Sequence, residues 1–313
     1  MISENTVSCI IPMYNSMEYV FGTIDSVLKQ DYPDMELIIS DDCSSVFDAD
    51  KIEKHILANK GDNLKSYRII ANPENLGTVR NLNGAISHAR GEYIIIVSSD
   101  DELYSDDTIS SIVKRFIQTN ADIIVCSREA YDEKLQKKIR LMPDPHYLKF
   151  IKKHMGSPAA QYKVMAQGNE MEFASGSAMY YRKEYFLSCG RYDERYVLWE
   201  DGPFIAKAAG NEKKIETAYD LISIKYRAGG ISSKKKRSSQ PSTIEKDYAN
   251  YYLWEFSENS ARLSSPERKV AKGLFYKHMK KKPENFDGWI CLMLAYASLI
   301  RIKGRKSLLH ITG

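Results

Sequence analysis

The sequence predicts an α/β protein in which a mostly parallel central sheet is flanked by helices and followed by a helical C-terminal extension. Two observations lead to this prediction. Between residues 7 and 127, short β-branched runs alternate with longer segments of helical period, which is typical of βαβ units. The chain has 313 residues, of which 43% are hydrophobic and 27% charged, so it can bury a full core.

Predicted strands and helices alternate along this first segment. We expect strands at Val7 to Pro12, Glu36 to Ser40, Tyr67 to Ala71, Tyr93 to Val97 and Asp122 to Cys126. We expect helices at Met17 to Gln30, Asp48 to Asn59, Thr78 to Ala89 and Asp106 to Thr119, the last with Ser105 as its N-cap. The carboxyl ends of such parallel strands should share one edge of the sheet, where ligands bind.

The later part of the chain is less regular. We expect a hairpin at Tyr131 to Leu141, a helix at Tyr147 to Met155, a strand at Ser177 to Tyr181, and helices at Thr243 to Ser260 and Pro266 to Lys281. The basic stretch SSKKKRSSQPS between them is typical of a linker or mobile loop. The predicted organisation is a domain over residues 1–232 and a basic linker with helical extension over 233–313.

Composition excludes several classes of protein. The net charge of +4 is too small to indicate a nucleic-acid partner. Five scattered cysteines without CxxC spacing predict neither a disulfide framework nor a zinc site and favour a reducing cytoplasm. The first residues lack the basic start and long apolar core of a signal peptide, and the late apolar stretch Trp289 to Ile300 is too short to span a bilayer.

Polar side chains follow four of the predicted strands. An aromatic ring such as Tyr14 can stack on a base, a carboxylate such as Asp41 can accept from a base N–H, and Arg80 can face phosphate. Each strand end taken alone is equally well explained as a turn or helix cap, but together they predict a nucleotide diphosphate site. The residues concerned are Pro12, Met13, Tyr14, Asn15, Asp41, Asp42, Asn72, Asn75, Arg80, Ser98, Ser99, Asp100 and Asp101.

Two carboxylate pairs stand out. Asp100 and Asp101 follow a buried strand, and Asp100 could hold Mg²⁺ or Mn²⁺, which prefer carboxylate oxygen and share their shell with phosphate and water. Glu200 and Asp201 follow Trp199, and from the residues alone they are explained as an acidic pair in a first helical turn.

An ordered set of motifs resembles glycosyltransferase family 2, whose members are inverting enzymes of the Rossmann-like GT-A fold. The resemblance covers Val7 to about Ser232 and rests on VSCIIPMYN, LIISDDCSS, NPENLGTVRNLNGAISHARGEYIIIVSSDDEL, SGSAMYYRKEYFLSCGRYDERYVLWEDGPF and YRAGGIS. It implies a donor-binding half at residues 1–105 and an acceptor half at 106–232. It also implies a nucleotide-sugar donor, usually UDP-linked, with a divalent metal, Mn²⁺ or Mg²⁺.

The resemblance also assigns roles to individual residues. It implies that Asp100 is the last Asp of the metal-binding DxD motif, with Asp101 as a weaker ligand, and that Asp201 is the catalytic base beside Glu200. Ser98 stands where the family usually has Asp, which removes one negative charge and should weaken cation binding. The implied donor-binding residues are Pro12, Tyr14, Asn15, Asp41, Arg80, Ser98, Ser99 and Asp100. Trp199 and Arg227 are the candidate acceptor-side or loop residues. The glycine-rich turn YRAGGIS could close Arg227 over the diphosphate, and it is equally well explained as a plain structural turn.

The chemistry fits this resemblance. Displacement of a diphosphate from an anomeric carbon needs stabilised leaving-group charge and a base for the acceptor hydroxyl. We therefore expect a non-processive sugar transfer, since the QxxRW signature is absent, to a hydroxyl of a glycan or lipid-linked glycan in cell-surface polysaccharide biosynthesis.

Other functions are disfavoured to different degrees. A catalytically silent nucleotide-sugar-binding protein of the same fold is the alternative that Ser98 supports. A nucleotidyltransferase would need a glycine-rich basic loop after the first strand, where PMYNSMEY stands, and a dinucleotide-dependent dehydrogenase would need GxGxxG there.

The segment NFDGWICLMLAYASLIRIKGRKSLLHITG has two interpretations. It is explained as a core or homodimer helix, or as a helix that binds the anionic inner face of the membrane near a lipid-linked acceptor.

Overall fold

The computed structural model describes residues 5–145, 148, 156–167, 175–213, 215–228, 241–258 and 261–311, with side chains through residue 301. The chain divides into two compact units. The first comprises Met1–Met142, Ser175–Glu194 and Ile215–Lys235, and the second comprises Pro143–Ala174, Arg195–Lys214 and Lys236–Gly313. The domain boundaries predicted after residues 105 and 232 stay predictions.

Within the described residues, the first unit is built on one nine-stranded sheet. Its strands are β1 (Val7–Met13), β2 (Met35–Asp41), β3 (Leu64–Ala71), β4 (Tyr93–Ile96), β5 (Glu102–Leu103), β6 (Ile123–Tyr131), β7 (Lys138–Met142), β8 (Met179–Arg182) and β9 (Ile215–Arg227). Their order in the sheet is β3-β2-β1-β4-β8-β6-β9-β5, with β7 paired to β6. The β1–β2, β2–β3, β1–β4 and β6–β9 pairs are parallel, and β8 is antiparallel to β4 and β6.

Helices flank this sheet because the sequence between strands has apolar faces. The side chains of Ile24, Val27 and Ile112 are fully buried or nearly so, in one core with the strand residues Ile11 and Leu37. The helices of this unit, numbered in chain order with the rest, are α1 (Val20–Leu28), α2 (Ala49–Asn59), α3 (Thr78–Ser87), α4 (Thr108–Thr119) and α6 (Lys183–Ser188), and Gly176–Ala178 form a short 3₁₀ turn.

The predicted α/β class is confirmed, and most predicted elements lie within a few residues of the observed ones. Two details differ. The helix α4 begins at Thr108, so Ser105 is not its N-cap. The Ser105 hydroxyl donates instead to the carboxylate of Asp107 at 2.6 Å. The strand predicted to end at Cys126 runs to Tyr131, because β9 and β7 pair with its second half.

The second unit is helical in its described residues. Its helices are α5 (Pro158–Met165), α7 (Asp201–Gly210), α8 (Thr243–Tyr251), a π-helix (Tyr252–Glu258), α9 (Ser265–His278) and α10 (Phe286–Ile311). Capping boxes start α8 at Ser242 with Glu245, and α9 at Ser264 with Glu267. Gly273 of α9 lets α10 approach closely, since a Cβ there would lie 2.0 Å from the carbonyl oxygen of Cys291.

The predicted helix over 243–260 is therefore α-helical only to Tyr251 and continues as a π-helix. The predicted helix at Tyr147 to Met155 and the basic stretch SSKKKRSSQPS lie mostly outside the described residues. Among the described helices, none combines the length and the apolar character that crossing a membrane requires.

Candidate donor and acid-base sites

The loops after β1 and β2 are bound to each other. The two strands pair in register, with Pro12 opposite Ser40 and Met13 opposite Asp41. The Oδ1 atom of Asn15 accepts from the backbone N–H and the hydroxyl of Ser45, both at 2.9 Å, and Asn15 has a left-handed backbone with φ of 50°. This side-chain bond fixes a conformation that a branched residue would disfavour.

Asp41 belongs to the same cluster. It is buried, and it accepts from the backbone N–H of Ser44 at 2.9 Å and from the Ser44 hydroxyl. The Tyr14 side chain is 43% exposed, so its ring is accessible to a planar ligand. The structure thus brings Pro12, Tyr14, Asn15 and Asp41 together at the ends of β1 and β2, and their role in donor binding stays a prediction.

Asp42 has a structural task that the sequence analysis did not assign. Its buried carboxylate accepts from the backbone N–H groups of Leu76 at 2.8 Å and Gly77 at 2.9 Å, which form the turn before α3. Gly77 has a φ of 82°, a conformation that favours glycine. The available signal was the second acid of the DD pair at a strand end, followed by the turn sequence NPENLG.

Arg80 follows this turn on the first part of α3. Its side chain is 58% exposed, and its Nε lies 3.6 Å from a carboxylate oxygen of Glu194. The guanidinium therefore remains accessible to an anionic ligand.

The two acids after β4 have different surroundings. Asp100 is partly exposed, whereas Asp101 is only 1% exposed. The carboxylate of Asp101 accepts from the backbone N–H of Arg227 at 2.8 Å, and its Oδ2 has no hydrogen-bond partner among the described residues. Burial raises the pKa of Asp100, and burial together with the neighbouring Asp100 charge raises the pKa of Asp101 well above its ordinary value.

Two serines precede this pair. The Ser99 hydroxyl lies 2.6 Å from the hydroxyl of Ser16 and is buried, while Ser98 is partly exposed. Ser99 therefore ties the loop after β4 to the start of α1, and Ser98 remains accessible at the position where the family usually has Asp.

Arg227, at the end of β9, holds the loop that carries Asp100. Its Nε donates to the carbonyl oxygen of Asp100 at 2.8 Å, its Nη1 donates to the carbonyl oxygen of Glu133, and its guanidinium lies 4.4 Å from the centre of the Tyr19 ring. The prediction that Arg227 faces a diphosphate stays a prediction; in the structure these contacts order the loop. The glycines that follow it in YRAGGIS lie outside the described residues.

The donor set around Asp100 fits a divalent metal that is shared with a substrate. Among the described residues no cluster of three or more His, Cys, Asp or Glu side chains could hold a metal by itself. Mg²⁺ is commonly held by one or two carboxylates together with substrate phosphates. The partly exposed carboxylate of Asp100 meets that requirement, together with the neighbouring Asp101. The buried Oδ2 of Asp101 has no hydrogen-bond partner among the described residues.

The second predicted cluster lies at the N-terminus of α7. Asp201 is the first residue of that helix, and its Oδ1 accepts from the backbone N–H of Gly202 at 2.7 Å. The Trp199 ring packs edge-on against Tyr248 and Tyr251 of α8, with centroid distances of 4.3 and 4.7 Å. Glycine is required at position 202, since a Cβ there would lie 2.2 Å from the Trp199 ring.

Glu200 is surrounded by other acids. Burial, with the charges of Asp201 and Asp247 as further causes, raises the pKa of Glu200 to about 8. Glu200 is therefore largely protonated at neutral pH. The structure thus gives the two adjacent acids of the WED sequence different environments, which is an arrangement often found in acid-base sites.

The family assignment follows from a comparison with known proteins. The family model described as "Glycosyl transferase family 2" matches residues 8–189, which is more than half of the chain. The chain belongs to glycosyltransferase family 2. The resemblance inferred from the motifs is therefore confirmed, and membership supports the expectation of a glycosyltransferase enzyme.

Curated relatives of this family 2 chain match it in part. Glycosyltransferase GlyG of Streptococcus pneumoniae is 29% identical over 127 residues, covering 41% of this chain and 40% of that protein. The amylovoran biosynthesis glycosyltransferase AmsB of Erwinia amylovora is 26% identical over 205 residues, covering 64% of this chain and 62% of that protein. The match thus spans less than two thirds of the length of either relative.

Solved structures support the predicted fold. TarS 1–349 of S. aureus in complex with UDP-GlcNAc has a TM-score of 0.62 at 18% identity, covering 87% of this chain and 72% of that chain. The mannosyltransferase PcManGT from Pyrobaculum calidifontis, in complex with GDP-Man and Mn²⁺, has a TM-score of 0.56 at 17% identity, covering 98% and 79%. At these identities the similarity shows the fold, and the predicted GT-A fold is confirmed.

Proposed function

We propose that this family 2 chain transfers a sugar from a nucleotide-diphosphate sugar, UDP-linked, to a hydroxyl of a glycan or lipid-linked glycan in cell-surface polysaccharide biosynthesis. Transfer is non-processive and inverts the anomeric configuration. The observation that carries the proposal is the cluster of ordered polar side chains at the ends of β1, β2 and β4, within a chain of this family.

On the donor side, the accessible Tyr14 ring stacks on the base, and Asn15 and Asp41 line the base and ribose. Pro12 shapes the strand end, and Arg80 contributes positive charge near the phosphates. Two of the similar structures are complexes with UDP-GlcNAc and GDP-Man, which supports a nucleotide sugar as the donor of this chain.

A divalent metal, Mn²⁺ or Mg²⁺, is the proposed cofactor. Asp100 would hold it, with Asp101 as a weaker candidate because its other oxygen is already bonded to the backbone of Arg227. When bound, the metal would supply positive charge that stabilises the leaving diphosphate. Ser98 can donate to the donor ribose or to a coordinated water.

On the acceptor side, Asp201 takes the proton of the attacking hydroxyl. The bond between its Oδ1 and the N–H of Gly202 orients the carboxyl group at the start of α7. Glu200, whose pKa is raised to about 8, remains largely protonated beside it at neutral pH and so adds little negative charge at this position.

The experiment is a screen of UDP-, GDP- and dTDP-linked sugars with and without Mn²⁺, in which nucleotide release and donor binding are both measured. We expect release from one donor, dependent on metal. Donor binding without release, with any acceptor tried, would instead support the catalytically silent binding protein. If no donor binds under any metal condition, the proposal is overturned.

The variant Ser98→Asp sharpens this screen, because it restores the acid that the family usually has. We expect the Mn²⁺ concentration for half-maximal release to fall about tenfold, since a further carboxylate adds a charged ligand. The matched control is Ser110→Asp, which places the same charge on α4 away from the strand ends. An unchanged Mn²⁺ requirement in Ser98→Asp would contradict a metal site at this position.

We also propose that α10 lies on an anionic membrane surface. Five large side chains at helical spacing are exposed on it: Phe286, Trp289, Met293, Tyr296 and Ile300, with exposed fractions of 81, 45, 70, 49 and 68%. Residues 261–313 contain twelve Lys and Arg against three Asp and Glu. A second copy of the chain would bring the same positive charge, so an anionic bilayer is the better partner for this face.

Vesicle binding tests this surface. We expect Trp289 emission to shift to the blue with vesicles containing phosphatidylglycerol and to stay unchanged with phosphatidylcholine alone. Met293→Glu with Ile300→Glu should abolish binding, whereas Lys65→Glu, on the first unit, should not. Equal binding by the double variant would overturn the proposal, and a concentration-dependent dimer disrupted by it would assign the face to a second copy.

A further inference from the structure

A buried carboxylate from α8 binds the backbone directly before Glu200 and Asp201. Asp247 is 2% exposed, and its Oδ2 accepts from three consecutive backbone N–H groups. The donors are Val197 at 3.0 Å, Leu198 at 2.7 Å and Trp199 at 3.2 Å. Consecutive N–H groups that converge on one oxygen form a nest, a backbone arrangement suited to holding an anion.

The helix α8 also holds the Trp199 side chain of the segment 197–199. Tyr248 and Tyr251, which follow Asp247 on the same helix, pack against the Trp199 ring, and Gly202 allows the ring to pass close to the start of α7. Residues 197–199 are therefore fixed through both backbone and side chain by a single turn of α8. The C-terminal end of the segment is defined, because α7 begins directly after Glu200.

We propose that Asp247 is a positioning residue for Asp201, and that it sets the orientation of the acid pair by holding residues 197–199. This inference rests on the proposed function, and it assigns to α8 a part in the reaction that the motifs do not indicate. Asp247 lies outside the segment that the family model matches, residues 8–189.

The physical reason is the sensitivity of proton transfer to distance. A base that is displaced by about 1 Å loses up to about a hundredfold in rate, even when its chemistry is unchanged. Removing the Asp247 carboxylate would leave three N–H groups without their acceptor and let the segment move. The Asp201 carboxylate would remain present but less well oriented.

Three variants test the proposal: Asp247→Ala, Asp247→Asn and Glu284→Gln. Asn keeps one oxygen that can accept from the N–H groups, and Glu284 is an exposed acid of the same unit with 83% side-chain exposure. The measurements are kcat, the KM for the donor, and hydrogen exchange of the amides of residues 197–199.

We expect Asp247→Ala to lower kcat about 10- to 100-fold and to speed exchange of the three amides, with the donor KM changed less than about twofold. Asp247→Asn should recover most of kcat, and Glu284→Gln should match the original chain. A merely structural role would change exchange or stability without a selective loss of kcat.

The inference is overturned if Asp247→Ala speeds exchange but keeps full kcat, or if kcat falls only in proportion to the folded fraction. It is also overturned if Asn gives no recovery although it folds and protects the amides. If the original chain transfers no sugar from any donor, the proposed function itself fails, which is a different result from an active chain that tolerates Asp247→Ala.

Discussion

The two groups of proposed site residues are held in different ways. At the donor strand ends, Asp41 bonds to Ser44, three residues away, and Asn15 bonds to the loop that follows the neighbouring strand. At the start of α7, the segment before Glu200 depends on Asp247, which lies 48 to 50 residues further along the chain. The first group is supported by its own sheet edge, and the second by a distant helix.

This difference determines what a motif can reveal. Strand ends collect functional residues because parallel strands deliver their carboxyl ends to one edge, so a regular sequence pattern indicates the site. The WED sequence carries the reactive groups of the second site, but nothing within it indicates what holds it. Variants in the two regions should therefore fail in different ways.

The largest expected effect is on turnover at the second group. Asp201→Asn keeps the oxygen that accepts from Gly202 but removes the base, so kcat should fall about 10²- to 10⁴-fold. Donor affinity, measured by calorimetry with the donor and Mn²⁺, should be unchanged. The matched control is Glu212→Gln, an acid of the same unit with 75% side-chain exposure. Full turnover in Asp201→Asn would contradict the assignment of the base.

The next effect is on stability at the first group. Asp42→Ala leaves the partly buried N–H group of Leu76 and the buried N–H group of Gly77 without their charged acceptor, and we expect a loss of about 2–4 kcal/mol in the free energy of unfolding. Urea denaturation measures it. Asp48→Ala removes only an exposed helix cap bonded to Lys51 and should cost about 1 kcal/mol. Equal losses in the two variants would contradict an anchoring role for Asp42.

Much of the first unit could be predicted from the sequence. The strands β1 to β4 and the helices between them follow from alternating apolar patterns, and their observed bounds lie within about three residues of the predicted ones. The second half of β6 was missed because its residues Glu129 and Arg128 are charged; the pairing with β9 and β7 makes that segment a strand. Tertiary pairing overrides local preference in such a segment.

The residues that support the site were harder to predict than those that carry its chemistry. Asp42 was grouped with the strand-end site residues and Asp247 was not singled out, because the backbone N–H groups that each one binds carry no side-chain pattern in the sequence. Asp101 was expected to be a weaker metal ligand, and that stays a prediction; its bond to Arg227 joins residues 126 positions apart. Such long-range contacts depend on the sheet order, which the motifs do not specify.

A moderate effect is expected from pH at the second group. The pKa of Glu200 is raised to about 8 in the folded chain, from an ordinary value near 4.5. The folded state therefore binds more protons than the unfolded state between these values, so this group makes stability fall as pH rises from about 4.5 to 8. Glu200→Gln removes that contribution.

The difference in the free energy of unfolding, Glu200→Gln minus the original chain, should rise by about 2 kcal/mol from pH 5 to pH 8.5. This value is smaller than the full pKa shift would give, because the Glu200 side chain is not fully buried. Urea denaturation at both pH values measures the difference, with Glu212→Gln as the exposed control. A stability difference that does not change with pH would show that burial and the neighbouring acids do not raise the pKa of Glu200 in the folded chain.

The smallest expected stability effect is at the exposed edge of the first unit. Arg80 and Glu194 are both more than half exposed and lie 3.6 Å apart, so breaking their ion pair should change the free energy of unfolding by less than about 1 kcal/mol.

Arg80→Gln should nevertheless weaken donor binding about tenfold, because it removes positive charge near the phosphates. Glu194→Gln keeps the oxygen that accepts from Asn83 and frees Arg80, so donor binding should be equal or tighter. Weaker donor binding in both variants would mean that the ion pair, and not the free guanidinium, shapes the donor site.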